Sequence, residues 1–120
     1  MVLTNAGRSG ISLLIGGGSS VPRYCGLGTG SGTEGVSNVI LVTETGTRFD
    51  FSDRDVATPY ETTLTHDYNS VKISGTTSIK EFGIFAATTG GSLFMREAFP
   101  DGITFDGTNE LQIQTTFRVV

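Results

Sequence analysis

Residues 111–119 read LQIQTTFRV, and this alternation decides the fold class. Leu111, Ile113, Thr115, Phe117 and Val119 fall on one side of an extended chain; Gln112, Gln114, Thr116 and Arg118 fall on the other. Period two sustained over this length describes a strand with one dry and one wet face. The run is expected to be an integral strand rather than a loose tail. Its wet face carries only the charge of Arg118, so it is polar enough to meet water and neutral enough to be covered by a neighbour.

Upstream of it, residues 79–87 (IKEFGIFAA) and 92–99 (SLFMREAF) flank Thr88-Thr89-Gly90-Gly91, a hairpin signature with a glycine-containing loop. Both arms are apolar on both faces, as Ile79, Phe82, Ile84 and Phe85 in one and Leu93, Phe94, Met95 and Phe99 in the other show. Such strands belong in the middle of a packed structure and need cover on each side. The final strand supplies cover for one side only, a hint that a neighbouring molecule supplies the other. Pro100-Asp101-Gly102 and Asp106-Gly107-Thr108-Asn109 read as turns. Residues 60–74 predict one or two strands, with Leu64, His66 and Tyr68 alternating, then Val71 and Ile73 beyond the Asn69-Ser70 turn signal. Phe49 and Phe51 stand at strand spacing. Residues 33–44 (TEGVSNVILVTE) are ambiguous and are read as a short helix or turn capped by Thr33. Residues 22–32 begin extended at Tyr24 and dissolve into glycines. Residues 3–15 (LTNAGRSGISLLI) predict a short helix capped by Thr4 or Asn5, with Ile11, Leu14 and Ile15 on one face. Gly7 and Gly10 weaken it by up to about 1 kcal/mol each relative to alanine, so it needs a packing partner. Gly16–Ser20 ends it as a flexible turn. The expected fold is mainly β: an antiparallel β-sandwich or flattened barrel with one or two short N-terminal helices, in a single domain spanning 1–120.

Composition agrees. A chain of 120 residues with 17 glycines, 37% hydrophobic residues and 17% charged residues suits a turn-rich β protein better than a helical bundle. A net charge of −4 without a basic cluster argues against a nucleic-acid partner. No apolar run is long enough to cross a membrane as a helix, and Ile11–Ile15 is too short for a signal-peptide core, so classical secretion is not expected. The single cysteine, Cys25, has no intrachain disulfide partner.

The chemical inventory is sparse. His66 beside Asp67 lacks any nucleophile elbow and reads as a structural histidine. Cys25 has no CxxC partner or nearby histidine and reads as a small semi-buried residue. Gly26–Gly32 alternates glycines without the lysine of a phosphate loop or the GxGxxG spacing, so it reads as a flexible loop at a strand end. Asp50, Asp53 and Asp55 crowd one segment, but they lack EF-hand spacing and have Arg48 and Arg54 to neutralise them; a solvated loop is the favoured reading over a cation site. Arg8, Arg23, Arg48, Arg96 and Arg118 read as carboxylate partners at protein interfaces. No catalytic, metal or cofactor residue is assigned, and an enzyme is not expected.

Three segments carry a resemblance: Leu3-Thr4-Asn5-Ala6-Gly7-Arg8 with the Ile/Leu-rich helix behind it; Tyr24-Cys25-Gly26-Leu27-Gly28-Thr29-Gly30; and Glu81-Phe82-Gly83-Ile84-Phe85 with Gly90–Arg96 and Phe99-Pro100. In this order, and with the closing alternating strand, they resemble small virion structural proteins of tailed bacteriophages. Phe82 stands where that group's pattern has a small residue, and Thr45–Thr63 matches no part of it. The resemblance implies a non-enzymatic particle component, a capsid decoration protein on the shell or a tail or collar fibre or adaptor component, located in the virion and assembled in the host cytoplasm. Its partners would be major capsid or tail proteins and copies of itself, as a small homo-oligomer such as a trimer. The residues expected at such interfaces are Leu3, Ile11, Leu14 and Ile15 of the N-terminal segment and Gln112, Gln114 and Arg118 of the last strand. A carbohydrate-binding sandwich is a lesser alternative; in the absence of tryptophan it would rely on Tyr24, Tyr60 and Tyr68.

Overall fold

The structure, a computed structural model, describes residues 1–120 except Ser19, Pro59, Ser74 and Val120, and omits the side chains of Ala57 and Thr58. With 48% of residues in strands and 10% in helix, the protein is mainly β. The elements run β1 (Val2–Leu3), α1 (Asn5–Ile15), β2 (Tyr24–Gly28), β3 (Glu44–Phe49), β4 (Asp53–Thr58), β5 (Glu61–Tyr68), β6 (Thr77–Phe85), β7 (Leu93–Phe105) and β8 (Leu111–Arg118). Every pairing is antiparallel. Five strands form one sheet in the order β1-β7-β6-β2-β3, and three form the other in the order β4-β5-β8. The two sheets stack as a sandwich.

The space between the sheets is filled from both: Cys25, Leu27, Ile79, Phe82, Ile84, Met95 and Phe105 from the larger, Leu64, Tyr68 and Ile113 from the smaller. Tyr68 ties the two layers, since its hydroxyl donates to the Cys25 carbonyl at 2.8 Å while its ring meets Phe49 edge-on at 5.9 Å. Phe82 is buried in this layer and leans on Phe99 with centroids 6.2 Å apart. The pattern read from residues 111–119 appears as expected: Ile113 and Thr115 are buried, Leu111 and Phe117 half-buried, and Gln112, Gln114, Thr116 and Arg118 exposed. Val119, the last of the inward-facing set by alternation, lies beyond β8 and is 75% exposed.

The central hairpin is covered on both faces, and the chain supplies the second cover itself. Phe85 and Leu93 point away from the other sheet and pack with Leu41. Phe94 lies under α1. This corrects the expectation that a neighbouring molecule must supply that cover. The segment 29–43 does part of the work, held in part by Glu81, whose carboxylate accepts from the backbone N–H groups of Val42 and Thr43, both at 2.8 Å. Of the two readings of residues 33–44, a short helix or a turn, the structure shows the turn, at Val36-Ser37, where Asn38 N–H donates to the Gly35 carbonyl at 3.1 Å. Among the described residues there is one helix, α1.

Three further expectations change. Of the glycine-rich run 26–32, read as a flexible loop at a strand end, Gly26 and Gly28 lie in β2, which sits between β6 and β3, and residues 29–32 follow the strand without regular structure. A Cβ on Gly28 would stand 2.5 Å from the Glu81 side chain, so the glycine is what lets β2 pass this carboxylate. Pro100-Asp101-Gly102 is not a terminating turn but a bulge inside β7, where the register jumps between Glu81↔Ala98 and Ile79↔Ile103. Gly102 takes φ +73 there, and the outward bow leaves room for a proline. Asn69–Ile73 is a turn rather than a second strand, closed by Asn69 Oδ1 accepting from Val71 N–H at 3.0 Å. Of the expected turn at Gly16–Ser20 and the stretch 60–74, Ser19 and Ser74 lie outside the described residues.

Candidate functional site

Catalytic candidates are all placed where they serve structure. His66 has no exposed surface; its Nε2 lies 2.8 Å from the Arg23 carbonyl, and Asp67 next to it faces the opposite side of β5, accepting from Ser52 Oγ at 2.6 Å and Gln112 Nε2 at 2.9 Å. No Ser-His-Asp relay is assembled from them. Burial pushes the Cys25 thiol up to about 12, so it stays protonated and poorly nucleophilic at neutral pH. Asp50 is taken by Arg23, with bonds of 2.9 and 2.6 Å to its two oxygens, and this partner holds its carboxyl below the usual range. Asp53 and Asp55 lie on β4, and among the described residues no cluster of three possible metal ligands forms.

Burial lowers the basicity of His66, whose Nδ1 also has no hydrogen-bond partner among the described residues. Its folded pKa lies below the ordinary value of 6.5, so the unfolded chain takes up this proton first as pH falls. Stability from this group is therefore complete above pH 6.5 and declines below it. Urea midpoints measured between neutral and mildly acidic pH are expected to fall below that point in the wild type. His66→Gln is expected to flatten that fall, leaving the carboxylate-driven loss at lower pH.

The arginines are mostly spoken for within the chain. Arg23–Asp50, Arg48–Glu44, Arg96–Glu81 and Arg118–Glu61 are ion pairs. Arg48 also lies 3.4 Å above the Phe85 ring and donates to the carbonyls of Ala87 and Gly90 at 3.0 and 2.6 Å, fixing the hairpin loop. The expectation of contacts at protein interfaces is corrected for Arg48 and Arg96, which are buried; Arg23 and Arg118, 45% and 64% exposed, keep surface beside their partners, and Arg8 is exposed on α1.

Two surfaces carry most of the residues expected at interfaces. The first is built on α1. Thr4 caps the helix, its hydroxyl accepting from Gly7 N–H at 3.0 Å and donating to the Leu93 carbonyl, while Thr4 N–H reaches the Phe94 carbonyl at 2.9 Å. With β1 paired to Met95 and Arg96, this stitches the N-terminal segment onto β7. The helix seats through its glycines: a Cβ on Gly7 would stand 2.2 Å from the Phe94 carbonyl oxygen, and one on Gly10 2.7 Å from its ring. Ile11 and Ile15, read as sharing one apolar face with Leu14 and as candidate interface residues, are thereby turned outward. Ile11 is 37% exposed, Leu13 63% and Ile15 87%; Leu14, in line with Gly7 and Gly10, is half-buried. Ile11 and Leu14 form one wall of a groove of about 450 Å³ whose other walls include Val21, Val56, Phe117 and Val119. Leu3, 36% exposed, lies apart from this groove on the sheet edge.

The second surface is β8, an edge strand that presents Gln112, Gln114, Thr116 and Arg118 to solvent. Apart from Leu3, the site residues read from the sequence thus fall on two neighbouring surfaces, joined where Phe117 and Val119 line the groove. Leu13, Val21 and Val56 were missed: Leu13 falls off the expected helical stripe, and isolated valines give no periodic signal. Of the tyrosines, Tyr68 is buried and Tyr24 half-buried, which removes Tyr68 from any sugar-stacking role. Neither protein-family models nor curated proteins show a match to this sequence.

Proposed function

We propose that this chain is a non-enzymatic structural protein of a tailed-phage particle, a capsid decoration protein that binds the shell as a small homo-oligomer. The observation that carries this reading is the outward apolar face of α1. A helix rigidly seated by Thr4, Gly7 and Gly10 yet displaying Leu13 and Ile15 keeps apolar surface exposed on an ordered element, as a docking surface requires. The order and residues of the Gly7-Arg8, Tyr24–Gly30 and Glu81–Arg96 segments support the phage assignment. The buried state of His66 and Cys25 supports a role without catalysis.

Shell contacts would form by burial of this face and act only in the assembled state, stabilising the particle by mass action. The variant Leu13→Ser/Ile15→Ser tests it. Both side chains are exposed, so folding stability should change by no more than about 0.5 kcal/mol per site. Binding to empty heads in a cosedimentation assay should be lost. A double variant that still binds heads like the wild type contradicts the reading. Wild-type protein that binds isolated tails or necks and not heads moves the role to a tail or collar component.

A further inference from the structure

We propose that β8 is a two-fold dimerisation edge, pairing antiparallel with β8 of a second copy of this chain about an axis at Gln114. The inference rests on the assembly role proposed above and names the partner of one of its two surfaces.

Sheet edges that must stay free are usually blunted by lysine, proline, bulges or shortness. The other edges here are. β1 has two residues; β3 carries Glu44 and Arg48 and is broken by Gly46 at φ +71; β4 carries Asp53, Arg54 and Asp55 and a register shift before Thr58. β8 has none of these devices: its eight residues pair with β5 without interruption. Its free hydrogen-bonding groups can be assigned. Val119 N–H donates to the Tyr60 carbonyl at 2.9 Å, in line with the β5–β8 register, so the odd-numbered residues direct their backbone groups to β5. Gln112, Gln114, Thr116 and Arg118 therefore direct theirs to the open side.

An axis at Gln114 sets that residue opposite itself, Gln112 opposite Thr116 and Glu110 opposite Arg118. On the inner face it sets Leu111 opposite Phe117 and Ile113 opposite Thr115. At both ends Glu110 thus meets Arg118, which also pairs with Glu61 of its own chain, amides meet at the centre, and the two half-buried apolar residues, Leu111 and Phe117, cover each other. An isologous contact needs this self-complementarity. The joined strands make one six-stranded sheet, β4-β5-β8 continued into its symmetry mate.

Sedimentation velocity over a broad concentration series is expected to show a reversible dimer. Gln114→Cys should cross-link to a covalent dimer on mild oxidation, because hydrogen-bonded antiparallel partners stand about 5.5 Å apart at Cα, within disulfide range. Cys25 is buried and serves as its own control in the wild type. Gln114→Lys opposes two like charges at the axis and should weaken association about tenfold or more, with the melting temperature of the monomer unchanged. A wild type that stays monomeric, a trimer, or an oligomer indifferent to Gln114→Lys and unlinked by Gln114→Cys overturns the proposal. A monomer that still binds the shell overturns the dimer alone; a cross-linkable dimer that binds no particle upholds the dimer and removes the particle role.

Discussion

Gly7→Ala is expected to destabilise the protein by about 2–3 kcal/mol, although helix propensity alone favours alanine over glycine by about 1 kcal/mol. Steric conflict outweighs propensity here because of what the new methyl meets. A Cβ at position 7 would lie 2.2 Å from the Phe94 carbonyl oxygen, a backbone atom of a paired strand that has no rotamer with which to move aside. The helix must lift instead, and lifting it strains the bonds from Thr4 to Leu93 and Phe94 and uncovers the Phe94 ring. Urea unfolding measures the effect directly. A midpoint equal to or above that of the wild type would mean that α1 is not seated on β7 in this way.

The second large effect concerns Glu81 and Arg96. Both are buried, 0% and 1% exposed, and joined by a 3.0 Å bond from Arg96 Nε. Removing one member leaves the other charged and unpaired in the interior, which costs about 3–5 kcal/mol. Glu81→Ala also strips acceptors from the Val42 and Thr43 N–H groups, so the loss should lie at the upper end. Against a total stability of about 5–15 kcal/mol, this predicts a melting temperature lower by more than about 10 °C. Arg96→Met alone should be nearly as damaging, and Glu81→Ala combined with Arg96→Met should cost clearly less than the sum of the two. Additive losses would show that the pair is not coupled. The Glu81-x-Gly83 and Arg96 positions of the phage-like pattern are thus accounted for by architecture: the carboxylate holds the 29–43 segment, and Gly83 passes 2.6 Å from the Leu93 side chain at its would-be Cβ.

Much of the sandwich could be read from sequence because period-two burial leaves a direct trace. The alternation in β8, the Leu64–His66–Tyr68 set and the Gly90-Gly91 hairpin all correspond to observed strands. Errors arose where a side chain far along the chain satisfies the backbone. Residues 33–44 are ambiguous locally and form a turn, and the N–H groups of Val42 and Thr43 at their end go to Glu81, 38 residues or more away. Gly26 and Gly28 look like loop residues because their value lies in close approach to Glu44 and Glu81 side chains, which spacing does not express. The helix and its apolar set Ile11, Leu14 and Ile15 are legible in the sequence, but not which way that set faces: Gly7 and Gly10 approach Phe94 closely enough to take the inner face, which leaves Ile11 and Ile15 exposed and Leu14 half-buried. The candidate surfaces were legible as residue types and not as surfaces, because their adjacency depends on Phe117 and Val119 meeting Ile11 and Leu14 across the groove.

The claim that the outward face of α1 is a docking surface on a phage particle is tested most directly by electron cryomicroscopy of an intact particle containing this protein. Density for this sandwich is expected on the head, with Leu13 and Ile15 pressed against a shell subunit and two β8 strands paired about a two-fold axis. Density with α1 facing solvent, or density for this sandwich on the tail or collar and none on the head, would contradict it.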